Sequence, residues 1–92
     1  MGDGTEILSP FHCDYGYQIE VGSRTYINFG AVILDSAPIT LCDDVWLASG
    51  VVVCPGVTIG AGTTVGAGSV VTRDLPARYL CLGNPCPPVR EV

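Results

Sequence analysis

Few side chains in this sequence could take part in proton transfer, nucleophilic attack or metal binding. There is one histidine, His12, with five cysteines, four basic residues that are all arginine, and nine acidic residues. Imidazole titrates near neutrality, so His12 is the one group that could act as a base at physiological pH without a shifted pKa. With one histidine per chain a three-histidine zinc site would need other ligands, and no metal is expected. His12 reads first as a surface or capping residue and second as a substitute base. The cysteines, Cys13, Cys42, Cys54, Cys81 and Cys86, are odd in number and lack CxxC spacing or histidine partners. That pattern favours small hydrophobes in tight packing positions over metal or redox roles.

What must position these groups is written in residues 41–76, LCDDVWLASGVVVCPGVTIGAGTTVGAGSVVTRDLP. Every sixth residue from Leu41 is a branched aliphatic: Leu41, Leu47, Val53, Ile59, Val65, Val71. Four positions after each stand Val45, Val51, Val57, Thr63, Ser69 and Leu75, with turn formers such as Asp43-Asp44, Pro55-Gly56, Ala61-Gly62 and Ala67-Gly68 between. A period of six fits neither a lone helix nor a lone strand. It fits a parallel β-helix, in which short strands on three flat faces alternate with tight turns.

A chain of 92 residues forms one small domain, and such a domain hides only about 60% of its unfolded surface. With 48% hydrophobic and 14% charged residues, a monomer would display much apolar surface, so an oligomer is expected, and a homotrimer suits a three-sided coil. The formal charge of −5, without lysine or a basic cluster, argues against nucleic acid as a partner. Residues 1–10 lack a basic start and an apolar core of a signal segment, and no run reaches the roughly 20 apolar residues that span a bilayer. A cytoplasmic protein without membrane partners is expected.

In chain order, residues 1–18 read as an N-terminal capping segment, loosely ordered to Pro10 and then strand-like over FHCDYGYQI (11–19). The β-helix is expected over residues 19–76. Its register starts at Val21, slips by two residues at Ile39-Thr40, and resumes at Leu41, giving about three to four coils. Residues 77–92 leave the repeat as an extended tail, because Pro85, Pro87 and Pro88 exclude a helix.

Four segments, CDYGYQIEVG (13–22), YINFGAVILD (26–35), the stretch 43–76 and GNPCPPVREV (83–92), resemble the left-handed β-helix acetyltransferases of the maltose and galactoside O-acetyltransferase group. The resemblance covers about 80 of the 92 residues. It implies an all-β, left-handed parallel β-helix that assembles as a trimer, with acetyl-CoA as co-substrate in a groove between subunits. In that family a histidine serves as general base on the acceptor hydroxyl.

Matched residue by residue, the resemblance places Asn28 on the family's active-site asparagine. Asp14 and Asp35, with Ser36 beside it, fall at or next to acceptor-contacting positions. On the donor side Ser49 and Ala67 match positions touching the pantetheine arm, Thr72 and Arg73 a Thr-Lys pair, and Arg90 a second basic contact to the coenzyme's phosphates. Pro87 stands where relatives usually carry arginine. Relatives continue from the ITIGD-like segment into a further coil and a loop bearing the catalytic histidine, whereas here Ile39-Thr40-Leu41-Cys42-Asp43 runs straight into Asp44-Val45-Trp46. The helical N-terminal segment that helps wall their acceptor pocket has no match either. The reading is an acetyl-CoA-dependent O-acetyltransferase-like protein acting weakly or not at all on a small hydroxylated, sugar-like acceptor. The alternative is a non-catalytic trimer that binds CoA or only assembles. Trp46, at an outward position, is expected at a subunit interface first and along the CoA groove second.

Overall fold

Short extended segments satisfy a six-residue period when the chain bends three times per circuit, and the computed structural model, which describes residues 2–91, has that form. Met1 and Val92, the outermost residues of the expected capping segment and tail, lie outside the described residues. Among the described residues no segment is helical. The first two circuits hold β1 (Glu6–Ile7), β2 (Phe11–Cys13), β3 (Ile19–Val21), β4 (Tyr26–Ile27), β5 (Ala31–Ile33) and β6 (Ile39–Leu41). The next two hold β7 (Trp46–Leu47), β8 (Val52–Val53), β9 (Thr58–Ile59), β10 (Thr64–Val65) and β11 (Val70–Val71). β12 (Tyr79–Cys81) and β13 (Pro88–Glu91) follow.

These strands form three sheets, ordered β1-β4-β7-β10-β12-β13, β11-β8-β5-β2 and β3-β6-β9. We call them faces A, B and C. Every ladder is parallel except β12 with β13. The chain is therefore an all-β solenoid of about four turns, the parallel β-helix that the repeat predicts.

The six-residue series builds the core. Ile27, Leu47, Val65 and Cys81 stack inward on face A, Ile33, Val53 and Val71 on face B, and Leu41 and Ile59 on face C, each at most 1% exposed. Burying each such aliphatic contributes about 1.5–3 kcal/mol. Polar residues that enter the prism are satisfied locally: the Thr25 hydroxyl donates to the Cys42 carbonyl at 2.8 Å, and Thr63 donates to that of Pro76. No buried side-chain nitrogen or oxygen among the described residues lacks a partner. Small residues are needed where one coil passes close to the next. A Cβ on Gly60 would lie 2.5 Å from the backbone nitrogen of Ala77.

The coils are not of equal length. Tyr26 pairs with Glu6 and Trp46 with Tyr26, each twenty positions apart, but Thr64 pairs with Trp46 at eighteen and Leu80 with Thr64 at sixteen. The variation sits at the corner between faces B and C. From the last inward residue of face B to its successor on face C the step is eight residues (Cys13 to Val21, Ile33 to Leu41), then six (Val53 to Ile59), then four (Val71 to Leu75). The two-residue slip read at Ile39-Thr40 is thus located in the turn before it, residues 34–38, and recurs at residues 14–18.

The solenoid also extends beyond the expected residues 19–76. β1 and β2 pair in register with β4 and β5, so the segment read as a cap forms a complete first coil. The Thr5 hydroxyl donates to the Gly22 carbonyl at 2.6 Å and Glu6 N to the Thr25 carbonyl at 3.0 Å, which draws residues 5–7 into the stack. At the other end β12 continues the face A ladder past Pro76, and β13 turns back along it, so the tail becomes a strand antiparallel to the coils.

Candidate functional site

Three turns of like form stack at the corner between faces A and B: residues 28–30, 48–50 and 66–68. Gly50 N donates to the Phe29 carbonyl at 3.1 Å and Gly68 N to the Ser49 carbonyl at 2.9 Å, so each turn is anchored on the coil before it. The bend demands a left-handed residue, and Gly50 supplies it at φ 72°. The result is a straight column in which Phe29, Ser49 and Ala67 succeed one another, one per coil, with Asn28 directly before Phe29 at its head.

Asn28 is half-buried at the head of this column. Its Oδ1 accepts from Phe29 N at 2.8 Å, which fixes the amide plane, while its Nδ2 makes no hydrogen bond among the described residues. An oriented amide with two free protons can donate to a carbonyl or a developing oxyanion. Ser49 is half-buried and Ala67 exposed beside it. Two apolar side chains at this corner escaped the sequence reading: Phe29, 54% exposed, and Leu82, 45% exposed, whose Cδ2 lies over Gly66. The available signal was a bulky hydrophobe in a turn position that small or polar residues normally fill.

The remaining candidates stand elsewhere. Thr72 and Arg73 follow β11 and are exposed, and Arg73 shares a cleft of about 210 Å³ with Pro85, Cys86, Pro87 and Pro88. Arg90 lies in β13 opposite Leu80. The donor-side arginines therefore occupy the end of the solenoid toward which the column runs. A larger cleft of about 480 Å³ on face C includes Glu20, Thr40 and Asp43 but no cation, which suits it poorly to phosphate. His12 is exposed in β2, in register with Val32 on face B, one strand removed from the corner turns. Among the described residues no three His, Cys, Asp or Glu side chains cluster as metal ligands.

Asp35 is corrected from acceptor contact to structural residue. It is 0% exposed, and its carboxylate accepts from the backbone nitrogens of Asp14 (3.1 Å), Tyr15 (2.8 Å), Gly16 (2.7 Å) and Gln18 (3.2 Å). Four donors fill the lone pairs of a carboxylate, so none is left for a substrate hydroxyl. Burial pushes its pKa up, but the backbone donors from Tyr15, Gln18 and Gly16 together outweigh it and hold the pKa below the usual value. Asp14 stays exposed on the turn that Asp35 ties down.

A charged pair of different character marks the third corner. Arg24 donates to Asp44 through Nε at 2.8 Å and Nη2 at 3.2 Å, raising the guanidinium pKa and lowering that of the carboxyl. Both residues adopt left-handed backbone there, at φ 54° and 59°.

Comparison with known proteins agrees with this geometry. Residues 38–73 match the family described as bacterial transferase hexapeptide (six repeats). The chain is 33% identical to a putative acetyltransferase of Saccharomyces cerevisiae over 98% of its own length and 64% of that protein's. It is 30% identical to the galactoside O-acetyltransferase of Escherichia coli over 100% of its length and 63% of the enzyme's. The chain thus spans less than two thirds of these relatives. The second comparison runs over 128 positions against 92 residues here, so 36 positions of that enzyme have no counterpart in this chain. A hexapeptide-repeat acetyltransferase of Vibrio cholerae, solved in complex with acetyl coenzyme A, superposes with a TM-score of 0.75 at 32% identity, covering 99% of this chain and 69% of that one. From its repeat, its coils and this likeness, the chain belongs to the hexapeptide-repeat acetyltransferase family.

Proposed function

We propose that this protein binds acetyl-CoA along the corner between faces A and B and is the donor-binding core of an O-acetyltransferase. The pantetheine arm follows the column past Ser49 and Ala67, and Thr72, Arg73 and Arg90 receive the phosphates. Phe29 and Leu82 give the arm apolar walls. The observation that carries the reading is the uncommitted Nδ2 of Asn28 at the head of the column, placed to donate to the thioester carbonyl or to orient a hydroxyl of a sugar-like acceptor. Asp14 remains the acceptor-side candidate, since its carboxylate makes no hydrogen bond among the described residues.

No imidazole accompanies Asn28 at the corner, so proton removal from the acceptor is unassisted and transfer is slow or absent. General-base assistance is typically worth about 10²–10⁴-fold in rate. The 36 unmatched positions, two eighteen-residue circuits in length, are consistent with loss of a coil and its histidine loop. The placement of His12 on face B, away from the corner turns, favours a second reading in which the protein binds CoA without turning it over.

A homotrimer belongs to the same proposal. Face B presents an outward row of Val32, Val52 and Val70, and face A presents Tyr26 against Trp46 with ring centroids 5.2 Å apart. Face C instead presents Glu20, Thr40 and Thr58. Two apolar faces and one polar face per prism suit threefold packing, with the donor corner lying between the two that pack.

The test is a thermal shift with acetyl-CoA, followed by thioester consumption read from its ultraviolet absorbance. A thiol-reactive dye is unsuitable because Cys13 is exposed. No shift at millimolar acetyl-CoA overturns both readings. Binding with acceptor-dependent thioester loss that Asn28→Ala abolishes supports the enzyme, and binding without loss supports the silent binder.

A further inference from the structure

Two thiols that acetyl transfer does not use meet at the closed end of the solenoid. Cys81 ends β12 and points inward beneath Val65, and Cys86 lies in the loop between β12 and β13; they are 0% and 2% exposed. Cys86 N donates to the Val70 carbonyl at 2.9 Å and Gly83 N to Ser69 Oγ at 3.0 Å, which seats the loop under β11. Both thiols are packed into the same buried core cluster, five residues apart across the loop. Cys81 also stands opposite Pro88, so the two sulfurs sit at the neck of the β12–β13 hairpin, whose outer strand carries Arg90.

We propose that Cys81 and Cys86 form a dithiol–disulfide pair whose oxidation clasps the C-terminal hairpin onto the last coil. The oxidant is a small disulfide of the glutathione class. One cysteine thiolate attacks it and expels a glutathione thiolate, leaving a mixed disulfide. The second thiolate displaces the remaining glutathione, so two cysteine protons end on two glutathione thiols and one disulfide is exchanged for another. Burial pushes the pKa of the Cys81 thiol up to about 11 and raises that of Cys86 as well. Exchange begins from thiolates, so reaction in the closed hairpin is slow and the bond, once made, is equally protected. The pairing stands on the fold alone and is independent of whether CoA binds.

The experiment equilibrates the folded protein, and separately the protein in urea, with graded mixtures of reduced and oxidised glutathione, then alkylates and digests with trypsin. Both cysteines fall in one peptide, residues 79–90, between Arg78 and Arg90. The expected result is that this peptide loses two hydrogen masses and resists alkylation, at a ratio of oxidised to reduced glutathione at least tenfold lower when folded than in urea. The crosslinked protein melts about 10 °C above the reduced one, as closing a short loop in the unfolded chain implies. Cys86→Ala and Cys81→Ala each remove the crosslink, and because the wild-type comparison needs no variant, a variant that fails to fold does not weaken the test. The proposal is overturned if folding makes the pair harder to oxidise than it is in urea, or if the peptide accumulates as a glutathione adduct without closing.

Discussion

The Oδ2 atom of Asp35 accepts the backbone N–H of Gly16 at 2.7 Å, so one buried carboxylate closes the enlarged corner of the coil before it. The eight-residue step at residues 14–18 leaves backbone nitrogens that no strand partner meets, and Asp35 gathers four of them. Asp35→Ala is expected to lower the melting temperature by roughly 10 °C and Asp35→Asn by less, as orphaned buried donors should. Because the folded pKa is depressed from 3.8, the stabilisation is complete above about pH 4 and is lost as pH falls through the folded value. Melting curves from pH 7 to pH 2 should therefore show wild type and Asp35→Asn converging only at the acid end. Curves separated by a constant interval down to pH 2 would contradict the assignment.

Gly60 gives a second test, of the contact between coils. An added methyl group there meets the backbone of Ala77, which cannot rotate away. Gly60→Ala should destabilise by about 2–3 kcal/mol, the scale of overpacking, read by chemical denaturation. The same change at Gly66 meets the end of the Leu82 side chain, which can move, and should cost less.

Arg73 and Arg90 test the donor end. If both contact coenzyme phosphates, each alanine substitution weakens CoA binding about tenfold at low salt, corresponding to about 1.4 kcal/mol. Titration calorimetry with CoA and with dephosphorylated pantetheine separates the parts: the arginine variants should bind pantetheine as wild type does. Equal losses for both ligands would place the arginines' effect in folding rather than in phosphate contact.

Trp46 reports assembly. It is the single tryptophan, 52% exposed in the isolated chain, and packed against Tyr26 with the rings tilted by 53°. Burial at a subunit contact should shift its emission to the blue as protein concentration rises through the association range. Sedimentation should show a trimer in wild type and a monomer in Trp46→Asp. A monomer at micromolar wild-type concentration would remove the trimer.

The six-residue series from Leu41 made the fold legible because one side chain per hexad decides burial, and every member of it is inside. The first coil was illegible for the same reason in reverse. Its corner carries two extra residues, so Ile7 and Cys13 fall out of step with the series that starts at Val21 although they stack above Ile27 and Ile33. At the site, Phe29, Ser49 and Ala67 share a column because their spacings, twenty and eighteen, are one circuit each, and Asn28 stands one residue before it at the same corner. Asp35 misled because sequence shows a carboxylate's type but not what already occupies it. Phe29 and Leu82 were passed over because a turn hydrophobe looks like noise until its column is seen.

The shortening steps at the corner between faces B and C give the prism a taper, and a taper has a direction. A turn near the narrow end spans eighteen residues or fewer, whereas one near the wide end spans twenty, and the first of them is braced by the buried Asp35. A broad first turn therefore cannot stand in for a hexad turn without shifting the register of every strand stacked beyond it.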